Sequence, residues 1–230
     1  MASSSGLNRQ TTSSLLSAPT RSKVALKGSS RTVAEFFEYS INSILYQRGI
    51  YPPEDFQVVR KFDLNVLVTI DSEVKAYIKK IIVQLHRWLV HGKIKKLVVA
   101  IVSKNSGEAV ELWQFDVNIL PESPNTKNNT SGSSVPSNEK TPETVQKEIQ
   151  AIIRQITASI TFLPVLDPGL YTFNVQVYAD ADAQVPTEWA DSEARQLRNA
   201  EQVQLRSFST GSHSVSTQVA YRLGGGDEDE

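Results

Sequence analysis

The chain has no cysteine among its 230 residues, which excludes disulfides, zinc–thiolate sites and cysteine nucleophiles. It lacks any sustained apolar run as well. The longest, Leu97 to Val102, falls far short of the roughly 18 residues that a membrane helix requires. Met1 to Gly28 has no apolar core of the secretory kind, so a cytosolic or nuclear chain without membrane contact is expected. In that setting the overlapping sequons at Asn128 and Asn129 are chance matches in a Ser/Asn-rich stretch. Net charge is scarce too: the balance is −1, which gives the whole molecule no electrostatic preference for nucleic acid or membrane.

Histidine is equally sparse, with three in all, and the residue types that perform chemistry never assemble. His86 and His91 are five apart on a predicted helix, which turns them to different faces and fails the i, i+4 spacing of a metal pair. Ser212-His213 falls in a predicted hairpin turn without an orienting carboxylate. Asp180 and Asp182 lack the ligand count of a calcium site, and Gly224 to Gly226 lacks the lysine and following helix of a phosphate loop. No catalytic residue, cofactor or metal is expected. One basic stretch stands out, because Val74 to Gly107 carries eight Lys or Arg residues and no acid. Such a patch suits phosphates. Lys75, Lys79, Lys80 and Arg87, however, occupy the non-core positions of an amphipathic helix, and no aromatic residues interleave as single-strand binding requires, so an ordinary solvated face is preferred.

What remains is the pattern of one folded domain, 40% hydrophobic and long enough to bury a core. Met1 to Lys27 is Ser/Thr-rich and aperiodic, and is expected to be flexible. Thr32 and Glu35 have capping-box spacing. Val33, Phe36, Phe37, Ile41, Ile44 and Leu45 follow as one helical stripe, stopped by Gly49 and Pro52-Pro53. Phe62 to Ile70 alternates as a strand. Asp71 then caps a helix whose buried stripe is Val74, Tyr77, Ile78, Ile81, Ile82, Leu85, Trp88 and Leu89. Ile94 to Ser103 and Glu108 to Ile119 form a hairpin through Asn105 and Gly107.

Pro121 to Lys140 reads as a flexible loop, and Thr141-Pro142 opens a third helix with Val145, Ile149, Ile152, Ile153, Ile156 and Ile160 inward. Lys147, Ala151, Arg154 and Ala158 line its opposite face. Beyond the turn Asp167-Pro168-Gly169, Thr172 to Tyr178 alternates, with Phe173, Val175 and Val177 on one face and Thr172, Asn174 and Gln176 on the other. An irregular stretch, Asp180 to Asp191, surrounds Trp189. Two more alternating segments, Gln202 to Ser209 and Ser214 to Leu223, precede an acidic tail at 224–230.

The strings FFEYSINSILYQRGIYPP, with VAEFF before it, LVTID, LWQFD and IRQITASITFLP run in order through most of the chain, and together they resemble the spindle-checkpoint branch of the HORMA-domain family. The resemblance covers roughly Ala25 to Leu223. It implies an α+β domain over 28–223, three helices packed on an antiparallel sheet, with residues 180–223 forming a mobile safety belt. It implies that a partner's peptide joins a sheet edge, here Thr172, Phe173, Asn174, Val175, Gln176, Val177 and Tyr178, and that the belt, with Trp189, Val203, Leu205, Val215, Val219 and Tyr221, crosses over it. Open and closed folds of one chain are part of the same expectation. Arg154, Gln155 and Phe162 are implied at a face for open–closed dimerisation and for other checkpoint-complex subunits. The implied partners are a kinetochore coiled-coil protein and the WD-repeat activator of the anaphase-promoting complex, with an adaptor and an AAA-type ATPase as remodellers; the implied places are nucleus, kinetochore and cytoplasm. A HORMA subunit of DNA repair or of meiotic chromosome axes is the alternative that uses the same clamp.

Overall fold

The computed structural model describes residues 21–121 and 140–223. The loop expected at 121–140 and the tail at 224–230 therefore fall almost wholly outside the described residues, as does most of the N-terminal segment. The first helix, α1 (Arg21–Gln47), begins upstream of the expected start. No capping box forms at Thr32, because the chain is already helical there: the Thr32 hydroxyl donates back to the Gly28 carbonyl at 3.2 Å, and Glu35 accepts from Arg31 and from Lys61. Ser30 does the same toward Leu26 at 2.7 Å. Residues 21–27, expected to be flexible, are thus the opening turns of α1. The other end is as expected, with Gly49 at φ +60° and the Ile50 N–H returning to the Leu45 carbonyl.

A second difference follows directly. Phe62 to Ile70 is not one strand; Phe62 and Asp63 both take positive φ and form the turn between β1 (Phe56–Lys61) and β2 (Leu64–Thr69), a separate two-stranded ribbon. Helix α2 (Ser72–Val90) starts where Asp71 accepts from the Glu73 and Val74 amides at 3.0 and 2.8 Å. Its stripe is buried except at Tyr77 and Ile82, which are partly exposed. β3 (Ile94–Ser103) and β4 (Ala109–Ile119) pair as the expected hairpin. Helix α3 (Pro142–Ala158) is capped by Thr141, and its stripe is buried through Ile156; Ile160 is exposed, since a 3-10 turn at Ser159–Thr161 rotates it off the helical period.

The remaining strands are β5 (Tyr171–Ala179), β6 (Ala200–Ser209) and β7 (His213–Arg222), and the main sheet is antiparallel in the order β5-β3-β4-β7-β6. Helix α1 crosses its inner face, where Phe36 meets Phe115 and Phe208 edge-on at 5.7 and 4.8 Å. At the end of α1 a buried ion pair fixes three elements: Arg48 donates to both Glu111 oxygens on β4 and to the Pro164 carbonyl, and the Trp113 indole donates to Glu111 at 3.2 Å. Burial pushes the Glu111 carboxyl above its ordinary value, against the pull of Arg48 and Trp113.

Candidate functional site

The two outer strands of the sheet are finished in different ways. Along β6, a register shift between Gln204 and Ser207 breaks the ladder, and α3 supplies acceptors to the bared amides: Gln155 Oε1 takes the Arg206 N–H at 2.7 Å and Glu148 Oε2 the Ser209 N–H at 3.2 Å. A bulge and side-chain caps of this kind stop another strand from pairing there. β5 has no such cover. It runs unbroken from Tyr171 to Ala179, pairs with β3 on one side, and has no strand on the other among the described residues. Its inward side chain Phe173 packs edge-on to Tyr51 and Tyr77 at 6.2 and 5.5 Å. The inner side of the open edge is therefore aromatic, and burial raises both tyrosine pKa values.

Residues 180–199 connect β5 to β6, the two opposite edges, and their route encloses the open one. They leave β5 on the helix side: Lys95 and Lys93 pair with Asp180 and Asp182 at 2.7 and 2.6 Å, Lys80 with Glu188 at 2.9 Å, the Trp88 indole donates to the Gln184 carbonyl, and Trp189 stacks edge-on to Trp88 at 5.2 Å. They then pass to the outer side. Ser192, Glu193 and Arg195 bond to Gln176, whose side chain lies on the face opposite Phe173 and Val175, and the Arg195 guanidinium donates to the Gly107 carbonyl at the β3–β4 turn. A strand added to β5 would lie inside this loop, and both ends of the loop are held in the sheet. Three cations of the basic stretch at Val74 to Gly107 are thereby neutralised by the segment's own acids, and Lys96 is paired with Asp116.

The profile of the HORMA domain matches residues 29–213. The chain belongs to the HORMA-domain family. It is 56% identical over 207 residues to the mitotic spindle checkpoint component mad2 of Schizosaccharomyces pombe, covering 90% of this chain and 98% of that protein. It is 43% identical over 200 residues to the mitotic spindle assembly checkpoint protein MAD2A of Homo sapiens, covering 87% and 93%. Among solved structures, a chain of the mitotic checkpoint complex crystal structure superposes with TM-score 0.74 at 55% identity, over 85% of this chain and 99% of that one. Caenorhabditis elegans HTP-2 bound to a HIM-3 closure motif shares the fold at 16% identity and TM-score 0.68, over 85% and 91%. The α+β HORMA architecture expected from the sequence is the one found.

Within this HORMA domain Gln155 is engaged inside the molecule, unlike Arg154 and Phe162, the other expected interface residues. Arg154 is exposed and borders a cleft between α1, β2 and α3, with Tyr46, Gln47, Leu64 and Leu67. Gln155 turns the other way, to the β6 amide. Phe162 is partly exposed and packs on Tyr221 of β7 at 6.2 Å. The expected belt residues divide similarly. Trp189 is half-buried against α2, whereas Leu205, Val215, Val219 and Tyr221 are buried in the β6–β7 hairpin and Val203 is half-buried beside them. Expected edge residues Thr172 to Tyr178 all lie on β5; Gln176 among them is buried despite facing outward, which alternation alone did not predict.

The chemistry-bearing residues stay dispersed. No group of acids and histidines able to hold a metal occurs among the described residues. The His213 imidazole bonds through Nδ1 to the Ser29 hydroxyl at 2.6 Å, and Ser29 in turn meets Thr210; the cluster is sealed in the core. Burial lowers the His213 pKa. Its role is structural, tying the start of β7 to the early turns of α1.

Proposed function

We propose that this chain is a spindle assembly checkpoint effector that captures an extended partner peptide on the open edge of β5 and holds it beneath residues 180–199. The single observation that carries this reading is the contrast between the edges: β6 is blocked by a bulge and by α3, while β5 is bare and encircled. Backbone pairing supplies affinity at such an edge, and alternate side chains meet the Tyr51, Tyr77 and Phe173 wall, which supplies selectivity. Encirclement acts on the off-rate. Release requires the loop to open, and the loop opens only when β7 parts from β4 or the 180–199 contacts break. The hairpin docked on β4 is accordingly the closed form, with an open form in which β6–β7 pairs elsewhere.

The checkpoint assignment rests on the near full-length likeness to the fission yeast and human proteins and to the chain in the checkpoint complex. From that likeness, peptides of a kinetochore coiled-coil protein and of the WD-repeat activator of the anaphase-promoting complex are the proposed ligands, with reopening by an adaptor and AAA-type ATPase, self-association through Arg154 and Phe162, and residence at kinetochores and in nucleus and cytoplasm. The test is purification of the tagged full chain from cycling and mitotically arrested cells. Enrichment of the WD-repeat activator on arrest is expected. Its absence, with meiotic-axis or repair proteins in its place, would overturn the checkpoint reading in favour of another HORMA role.

A further inference from the structure

We infer that Gln176 is a latch: its carboxamide, on the outer face of the very strand that carries the open edge, fastens the encircling segment and sets how long a bound peptide is kept. The inference deepens the peptide-clamp reading and rests on it for its kinetic consequence. Gln176 is buried, and among the described residues its side-chain bonds all run to residues 192–195. Nε2 donates to the Ser192 hydroxyl and to the Glu193 carbonyl, both at 2.9 Å, and Oε1 faces the Arg195 N–H at 3.4 Å.

Both donors and an acceptor of one amide thus meet a short irregular stretch, a pattern that a peptide unit of a neighbouring strand would offer. Such bonds matter here because residues 192–195 belong to no helix or strand and have no ladder of their own. Upstream, the segment is held to α2 by the Trp88 indole on the Gln184 carbonyl, by Trp189 on Trp88 and by ion pairs, of which the exposed Lys80–Glu188 contributes little in water and is screened by salt. Gln176 is the buried attachment of the outer stretch, 192–195, and Arg195, bonded to it and to Gly107, carries the hold on to the β3–β4 turn. A leucine would fill the same space with no bond to give. A glutamate would keep the acceptor, lose both donors while ionised, and set a negative charge beside the Glu193 carbonyl.

The experiment compares the full chain with Gln176→Leu and Gln176→Glu in two measurements. The first is amide hydrogen exchange without any peptide: faster exchange at Ser192 to Arg195 in Gln176→Leu, with β3, β4 and α1 unchanged, is expected, and unchanged exchange in that segment would overturn the latch. The second uses a synthetic peptide from the WD-repeat activator, with dissociation followed after dilution into excess unlabelled peptide. About tenfold faster release from Gln176→Leu is expected from the loss of three hydrogen bonds, each at the low end of its usual net worth. Gln176→Glu should release fast at about pH 8 and slow down on acidification, since the protonated carboxyl regains a donor and a buried carboxyl titrates above its ordinary range. A purely space-filling side chain would show no such pH rescue, so a flat profile counts against the latch. If wild type holds no peptide at all, the clamp reading fails, while the exchange data still decide whether Gln176 fastens the segment.

Discussion

Truncating Arg48 to alanine should be among the most damaging single changes in the chain, and the damage should depend on pH. In the native protein Arg48 and Glu111 are both almost fully buried, 7% and 1% exposed, so each carboxylate oxygen relies on the guanidinium. Arg48→Ala leaves Glu111 with the Trp113 indole alone and strips the Pro164 carbonyl of its donor. An uncompensated buried charge of this kind costs about 3–5 kcal/mol, a large share of the ~5–15 kcal/mol that holds a typical domain together. The carboxyl can escape by taking a proton. Burial already raises the Glu111 pKa in the fold, so its contribution to stability is complete below the unfolded value and is lost as pH rises through the folded one. Removing Arg48 removes a downward pull, shifts the folded value higher and widens that window, at about 1.4 kcal/mol per pKa unit. Urea denaturation at about pH 5.5 and pH 8 reads both effects: the variant should lose several kcal/mol at the higher pH and clearly less at the lower. The double variant Arg48→Met/Glu111→Leu should recover much of the loss. A loss under about 1 kcal/mol at pH 8, or equal losses at the two pH values, would refute the assignment of a desolvated, charge-dependent pair.

Arg154→Ala should leave stability nearly unchanged and weaken self-association in sedimentation, by about 2 kcal/mol if the side chain is an anchor of the interface. Gln155→Ala should instead speed exchange of the Arg206 amide and cost about 1 kcal/mol of stability, because its acceptor caps β6 within the same molecule. Ser29→Ala strands the buried His213 Nδ1 and should lower stability by about 1–3 kcal/mol, seen as a drop in Tm of several degrees. Deleting Thr217 to Glu230 removes buried Thr217, Val219 and Tyr221 and frees one end of the encircling loop, so peptide should dissociate far faster than from the full chain. Two large buried side chains alone represent roughly 3–6 kcal/mol, so the shortened chain should keep its helical circular dichroism but melt at a clearly lower temperature. Unchanged peptide release from it would remove the belt from the mechanism.

How far these features were legible in the sequence depends on whether their causes are local. Helix α2 and the start of α3 announce themselves through Asp71 and Thr141, whose side chains meet amides two or three residues on, and the β3–β4 hairpin through Gly107 at φ +71°. β1 was hidden because Val58 and Val59 stand side by side and spoil the alternation, and because Phe62-Asp63 turns the chain without the usual glycine. The early turns of α1 were hidden for an opposite reason: Gly28, Ser29 and Ser30 disfavour helix by propensity, yet Ser29 and Ser30 are buried and Ser29 is held by His213, 184 residues away. Tertiary contact overrode a weak local preference.

The candidate site shows the same division more sharply. β5 and β6 both read as alternating strands, and nothing within either says that one edge will be capped and the other bare; that follows from strand order, which is settled by pairings between distant segments. Gln176 reads in the sequence as one more outward polar residue, and it is the fold of residues 192–195 over it that buries it. The basic stretch of α2 and β3 reads as a solvated face rather than a surface for phosphates, and three of its cations, Lys80, Lys93 and Lys95, instead meet acids of the segment 180–199 in the same chain. Composition reports charge without reporting what faces it. For a clamp this matters doubly, because contacts that are weak enough to part and specific enough to return in register are those a local reading passes over as solvated surface. The mechanism follows from where the chain runs: a segment anchored in both outer strands of one sheet can release what it encloses only if an anchor gives way, and the buried hairpin makes one anchor strong while a few contacts, the ion pairs, the Trp88 contacts and the Gln176 amide, make the crossing itself adjustable.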